Sequence, residues 1–326
     1  KGLYIKHVSS DPSNLIAGEI WYNTTTQTLK VAPLLQAWAS SNNINTTRRG
    51  MGGAGTQTAG LICQGFVGTF PVSQTTEEYD GSSWTNGEDM GSDHYVGGTD
   101  GTQTAALHCG GYGNPPPIRA LTEIYDGTDW TEVADLNTAR YNLDYAGTTT
   151  AGVAAGGTIL AAPYGTDVSE EWDGSSWTEG NNLGTARYTW GTVGGTQTAA
   201  LAVSGMNSPP LVRYTLCEEY NGTSWSEVND CNTARNSGGL AGIQTAAVFF
   251  GGRDATGAST ATESYDGTNW TTLGATLGTA RYVHGSFGTS TAAVCAGGYL
   301  GDPASNTNVT EEFTDSGITV RTVDTT

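Results

Sequence analysis

Short apolar runs recur along the chain at roughly 47-residue intervals and end on a pair of glycines. They include Ala105 to Cys109 before Gly110-Gly111, Ala151 to Ala155 before Gly156-Gly157, Ala246 to Phe250 before Gly251-Gly252, and Ala292 to Ala296 before Gly297-Gly298. Between these runs, β-branched, aromatic and polar residues alternate over a few positions and break at Asp-Gly, Asn-Gly or Gly-Thr-Gln-Thr. Alternation of that length, bounded by turn residues, is the pattern of strands. No segment keeps a helical period for three turns, so an all-β chain is predicted.

The repeat is easiest to follow by its tryptophan. Tyr79-Asp80-Gly81-Ser82-Ser83-Trp84 returns as Tyr125-Asp126-Gly127 to Trp130, Trp172-Asp173-Gly174 to Trp177, Tyr220-Asn221-Gly222 to Trp225 and Tyr265-Asp266-Gly267 to Trp270. The steps between tryptophans are 46, 47, 48 and 45 residues. A worn copy lies at Phe313 to Ile318, and one step back from Trp84 is Trp38, so six units are present. About ten residues after each Trp comes Arg48, His94, Arg140, Arg187, Arg235 or Arg281. Just before each aromatic-Asp-Gly phrase comes Glu77, Glu123, Glu170, Glu218, Glu263 or Glu311.

Each unit thus reads as four strands: A after the Arg, B ending at the glycine pair, C from the Glu to the aromatic, and D starting at the Trp. Asp-Gly and Asn-Gly between C and D are hairpin signals, because a type I′ turn needs positive φ at both central residues. Six four-stranded units of this size predict a six-bladed β-propeller, with glycine-rich A strands crowding the axis and one Trp per unit between adjacent sheets. The expected boundaries are an N-terminal hairpin or attachment segment over 1–37 and a propeller over 38–326, with units at about 38–84, 84–130, 130–177, 177–225, 225–270 and 270–318. The Trp38 segment is expected to act as a D strand for the last unit, whose A–C strands come from 281–313. The alternatives are that Ile318 to Val323 fills that slot, or that both segments contribute and give an extra outer strand.

The order Gly-Gly, Tyr-Asp, Trp, Arg resembles the kelch repeat of galactose-oxidase-type propellers over roughly residues 38–318, although the C–D turn is about two residues shorter than the usual kelch hairpin. Ahead of it, Gly18-Glu19-Ile20-Trp21-Tyr22-Asn23 to Lys30 resembles a segment common in tailed-phage structural and fibre proteins. That resemblance implies a virion or extracellular setting, with other virion proteins contacted through the N-terminal segment.

Composition narrows the partners. The net charge is −19, and charged residues are 14% of the chain against about 25% in a typical domain. Phosphate backbones and anionic lipids would be repelled, so neither nucleic acid nor a membrane is an expected partner. Five Cys without a C-x-x-C pair suggest buried free thiols rather than a disulfide framework or zinc site.

The repeated Arg and Glu have two readings: a basic ring binding an anion near the axis, or a framework of ion pairs within and between units. Adjacent carboxylates such as Glu77-Glu78 and Glu170-Glu171 point to opposite strand faces and do not make a glycosidase pair. A copper site of the galactose-oxidase kind needs a set of ligands that His7, His94, His108 and His284, scattered among the units, do not supply. No nucleophile elbow and no phosphate-cradling loop occur. The expectation is therefore a non-enzymatic protein without cofactor or metal.

The B–C connections differ in every unit. They carry Phe66, Phe70, Tyr112, Pro115-Pro116-Pro117, Arg119, Tyr164, Met206, Arg213, Tyr214, Arg253 and Tyr299. Aromatics and arginines on loops held by a rigid scaffold are materials of recognition. The leading expectation is a fibre-type virion protein presenting this loop face to a host-surface glycan or protein. The alternatives are a purely structural assembly or decoration module and, less favoured, a secreted carbohydrate-active enzyme.

Overall fold

A computed structural model describes residues 5–15, 18–70, 72–113, 117–160, 164–188, 193–301, 305–318 and 320–323, and none of these is helical. Six four-stranded antiparallel sheets follow the repeat: 52–86, 98–132, 144–179, 193–228, 239–272, and a sixth made from 285–318 with Leu34–Ser41. We number them sheets 1 to 6 and keep the letters A to D for their strands. Innermost strands touch in the order 1-2-3-4-5-6-1, a propeller-like arrangement.

Strand A is small-residue rich because neighbouring A strands nearly collide. A Cβ added to Gly53 would lie 2.5 Å from the Ser286 carbonyl oxygen of sheet 6. The core, in turn, is not one body but six clusters, one for each neighbouring pair of sheets. Between sheets 6 and 1, for example, Ile62, Tyr79 and Trp84 meet Phe287, Val294 and Ala296. No sheet buries its apolar face alone, which is why the units must stack.

The chain closes on itself through its N-terminal part. Leu34–Ser41 pairs antiparallel with Thr310–Ile318, with Trp38 opposite Phe313 as Trp84 is opposite Tyr79 in sheet 1. The slot is therefore filled by the Trp38 segment, and not by Ile318 to Val323. Arg321–Thr322 instead pairs with Thr28–Ala32, which with Glu19–Asn23 and Lys6–Val8 forms a separate four-stranded sheet. Trp21 is fully buried there and donates from Nε1 to Asp11 at 3.0 Å.

A chain of backbone hydrogen bonds runs round the axis on the face carrying the B–C connections. Val283 N–H donates to Ser237 O, Gly50 to Val283, Val96 to Gly50 and Asn142 to Val96, at 2.7–2.9 Å. Each of these residues sits just after a repeated Arg, His94 or its equivalent and takes positive φ; Val96 and Val283 are at 58° and 53°. That conformation is costly for a β-branched residue, and these hydrogen bonds offset it.

The C–D turns correct the type I′ expectation. Four residues separate the paired Tyr79 and Trp84, and among them only Gly81, at φ 90°, is left-handed. The Asp80 carboxylate accepts the Ser82 and Ser83 N–H groups at 2.8 and 2.7 Å, an Asx turn that makes a second positive φ unnecessary. These bonds, that from Ser83 foremost, hold the Asp80 carboxyl down at about 2. Asp126, Asp173, Asn221 and Asp266 repeat the arrangement.

Candidate functional site

The repeated polar residues tie neighbouring sheets together. After strand D the chain turns inward, and its Asn-Thr-Ala-Arg phrase meets the strand-C glutamate of the next sheet. Glu77 accepts Asn45 N–H at 2.6 Å, Thr46 N–H at 3.1 Å and Arg48 Nη1 at 2.5 Å. Glu170 does the same for Asn137, Thr138 and Arg140, at 2.7, 3.2 and 3.1 Å. Arg187–Glu218, Arg235–Glu263 and Arg281–Glu311 complete five ion pairs, at 2.8, 3.1 and 2.6 Å. All five arginines are fully buried. A ring of arginines open to an anion at the axis is not what these side chains form.

Each strand-D indole also reaches the preceding sheet. Trp84, Trp130, Trp177, Trp225 and Trp38 donate from Nε1 to Thr310, Thr76, Thr122, Ser169 and Thr262 at 2.9–3.2 Å. For Trp270 the equivalent residue is Cys217, a poor acceptor, and its Nε1 is buried without a partner. The strand-C hydroxyls follow the same rule: Tyr79, Tyr125, Tyr220 and Tyr265 donate to Glu312, Glu78, Glu171 and Glu219. Where the aromatic is Trp172 or Phe313 and has no hydroxyl, the facing position is Ile124 or Ser264 rather than Glu.

Sheet 2 departs from this scheme. His94 stands where the others have Arg, does not pair with Glu123, and packs on His108 with ring centroids 4.5 Å apart. Burial holds the His94 imidazole down at about 3 and His108 well below its ordinary value. Without an arginine, burial pushes the Glu123 carboxyl up to about 7. His108 Nδ1 lies 2.6 Å from Thr99 Oγ1.

The loop face is different in kind. The residue after each framework Arg or His forms a bridge to the first residue beyond the Gly-Gly pair, or beyond Gln64-Gly65 and Ser204-Gly205 in sheets 1 and 4: Arg49 with Phe66, Tyr95 with Tyr112, Tyr141 with Thr158, Tyr188 with Met206, Asn236 with Arg253, and Tyr282 with Tyr299. The aromatic side chains Phe66, Tyr95, Tyr112, Tyr141, Tyr282 and Tyr299 among them form an arc of half-buried rings. Phe70 meets Phe66 at 5.4 Å, Phe66 meets Tyr95 at 5.5 Å, Tyr95 meets Tyr112 at 5.8 Å and Tyr112 meets Tyr141 at 5.2 Å. On the other side Tyr282 and Tyr299 cross edge to face at 5.4 Å.

The structure brings Phe66, Phe70, Tyr112, Arg253 and Tyr299 into this arc. Arg119 lies beside it, bound to Asp93 at 2.6 Å. Arg213 donates to Asn236 at 2.9 Å from a hairpin of Met206–Asn207 and Val212–Arg213, with Tyr214 next to it. Tyr164 is exposed on the neighbouring connection, its N–H bonded to Ser208 O. Pro115 and Pro116 lie outside the described residues. The ring residues Arg49, Tyr95, Tyr141, Tyr188 and Tyr282 escaped the sequence reading, although an aromatic or arginine directly after the repeated Arg or His was a visible signal.

On the axis, a cavity of about 240 Å³ is lined by strand-A glycines, Asp100, Asp144 and His284. Asp100 accepts the Gly101 and Gly147 N–H groups at 2.7 and 2.9 Å, and burial pushes its carboxyl up to about 7. No group of three or more metal-ligating side chains occurs among the described residues. No protein-family model matches the chain, and no curated protein is detectably similar to it.

Proposed function

We propose that the chain is a non-enzymatic, fibre-type virion surface protein whose disc presents its loop face to a glycan or protein on a host surface. The observation that carries this reading is the arc of aromatic and arginine side chains, half-exposed on one face while the repeated polar groups are engaged in holding sheets together. Rigid display is what recognition asks of a scaffold: little side-chain freedom is lost on binding. The virion setting rests on the resemblance of Gly18 to Lys30 to phage fibre segments.

The test is binding to arrayed glycans and to candidate host cells, wild type against a Phe70→Ala/Tyr164→Ala variant. Both side chains are exposed, at 47% and 43%, so the variant keeps the wild-type melting temperature. Loss of binding is expected, and undiminished binding would remove the loop face from the proposal.

An assembly module is the second reading, favoured by one observation. Strands from both ends of the chain meet in the small sheet of Glu19–Asn23, Thr28–Ala32 and Arg321–Thr322, a natural point of attachment. Loops found buried against a neighbouring protein in an intact particle would favour this reading over recognition.

A further inference from the structure

The cations of this acidic chain are not scattered. Of thirteen Lys and Arg, five are the buried framework arginines, and Lys6, Lys30 and Arg321 belong to the N-terminal sheet. Lys1 is outside the described residues, which leaves Arg49, Arg119, Arg213 and Arg253, all on the loop face. Arg119 is matched by Asp93. Among the described residues none of the other three forms an ion pair: Arg213 donates to Asn236 at 2.9 Å, while Arg49 and Arg253 lie against aromatic rings.

These two arginines bracket the Tyr282–Tyr299 pair. The Arg49 guanidinium lies 4.3 Å from the Tyr299 ring centroid and 4.8 Å from that of Phe66, and Arg253 lies 5.6 Å from that of Tyr282. Stacking engages the faces of a guanidinium and leaves its N–H groups, which lie in the plane, for acceptors. Arg49 uses one of them, donating to Asn306 Oδ1 at 3.0 Å, while Asn306 is itself anchored to Phe66 O at 2.8 Å. An open surface depression of about 450 Å³ lies beside it, lined by Thr47, Phe66, Tyr299 and Asn306.

We propose that this segment of the arc binds an acidic saccharide, with the anionic substituent taken by Arg49, Arg253 or both and the sugar ring's C–H face packed on Tyr299 or Phe66. The inference rests on the recognition reading above and names its ligand class. A planar, pre-positioned guanidinium matches a carboxylate or phosphate two-pronged, and the neighbouring rings supply the flat apolar surface a pyranose needs. A neutral sugar would leave the unmatched charge without purpose. A long polyanion is disfavoured, because exposed Glu88, Asp89, Asp135, Glu179, Glu227 and Asp230 occupy strand D and the D–A connections around the disc. At physiological salt, screening over about 8 Å confines that repulsion to ligands extending outward to these residues.

The experiment is an array of neutral sugars beside their carboxylated and phosphorylated counterparts, probed with the full chain and with Arg49→Gln/Arg253→Gln, Arg49→Lys and Phe70→Ala/Tyr164→Ala variants. The wild type is expected to prefer acidic members about tenfold or more, as for a hydrogen-bonded charged group, with binding weakening as salt rises. The double glutamine variant should lose that preference, and Arg49→Lys should retain it only partly because the planar fork is gone at that position. Carboxylated against phosphorylated members identifies the anion. Equal binding of neutral and acidic members, or a preference surviving in the double glutamine variant, overturns this inference; if that binding is still lost in Phe70→Ala/Tyr164→Ala, the loop-face reading stands. Binding to no glycan and no host cell overturns both, and preferential capture of nucleic acid overturns the saccharide assignment.

Discussion

Glutamine at Glu170 and glutamine at Glu123 are the same edit at equivalent positions of neighbouring sheets, and they are expected to move stability in opposite directions. At Glu170 the carboxylate neutralises the fully buried Arg140 and caps the Asn137 and Thr138 N–H groups. A neutral amide leaves Arg140 with carbonyl partners only, those of Gly156, Val168 and Ala154. Stranding one charge of a buried pair costs about 3–5 kcal/mol. With an unfolding entropy of about 2.1 cal/mol/K per residue over a disc of roughly 290 residues, this lowers the melting temperature by about 5–8 °C. Glu123 has no arginine, and burial has raised its carboxyl to about 7. Its raised folded-state value means that the stability it contributes is present at low pH and is lost as pH rises toward 7. Glu123→Gln removes that loss, so it should stabilise at pH 8 and change little near pH 4.5. Thermal melts by circular dichroism at the two pH values measure both variants. Glu123→Gln falling at pH 8 as Glu170→Gln does, or Glu170→Gln costing under about 1 kcal/mol, would refute the claim that these carboxylates differ by their arginine.

Cys217→Thr gives the orphaned Trp270 Nε1 the acceptor its five counterparts have, and should stabilise by about 1 kcal/mol, read as a rise in denaturation midpoint at unchanged slope. His94 and His284 are held down at about 3 by burial, and His108 well below its ordinary value. Depressed folded-state values place that stability above pH ~6.5, with progressive loss on acidification, so acid titration of the melting temperature should fall from near pH 6.5. A His94→Arg/His108→Phe variant copies sheet 5, where Arg235 lies 4.1 Å over Phe249. It should pair with Glu123, flatten the acid limb and raise stability at pH 8, and an unchanged pH profile would show that the two sites are not equivalent.

The sheets were legible because most carry the same punctuation: a glycine pair ending strand B in four of them, a glutamate in strand C in all six, and a tryptophan opening strand D in all but the sixth, where Trp38 lies within Leu34–Ser41. Trp38 could be assigned as a displaced D strand from its spacing to Arg48 alone. The turn geometry was less legible, because Asp-Gly suggests a type I′ hairpin until the Asp80 side chain is known to bind the next two N–H groups. Ion pairing across sheets was an open alternative, since a period shows which residues are equivalent but not which neighbours they face. The matched departures Trp172 with Ile124 and Phe313 with Ser264 stood in the chain but acquire meaning only once the sheets are adjacent. The same is true of the arc, whose members come from two separate stretches of each unit, joined by bridges such as Tyr95 with Tyr112.

The most direct check on the closed arrangement is a cross-link across its seam. Ala37 and Thr314 are exposed register partners on Leu34–Ser41 and Thr310–Ile318, and directly opposed residues of antiparallel strands have Cα atoms about 4.5–5.5 Å apart, within disulfide reach. The five native cysteines are buried and free. Oxidised Ala37→Cys/Thr314→Cys protein should form that one disulfide nearly quantitatively, identified by peptide mass mapping, with a raised melting temperature. Folded protein that leaves both introduced thiols free would mean that the N-terminal strand does not close the ring.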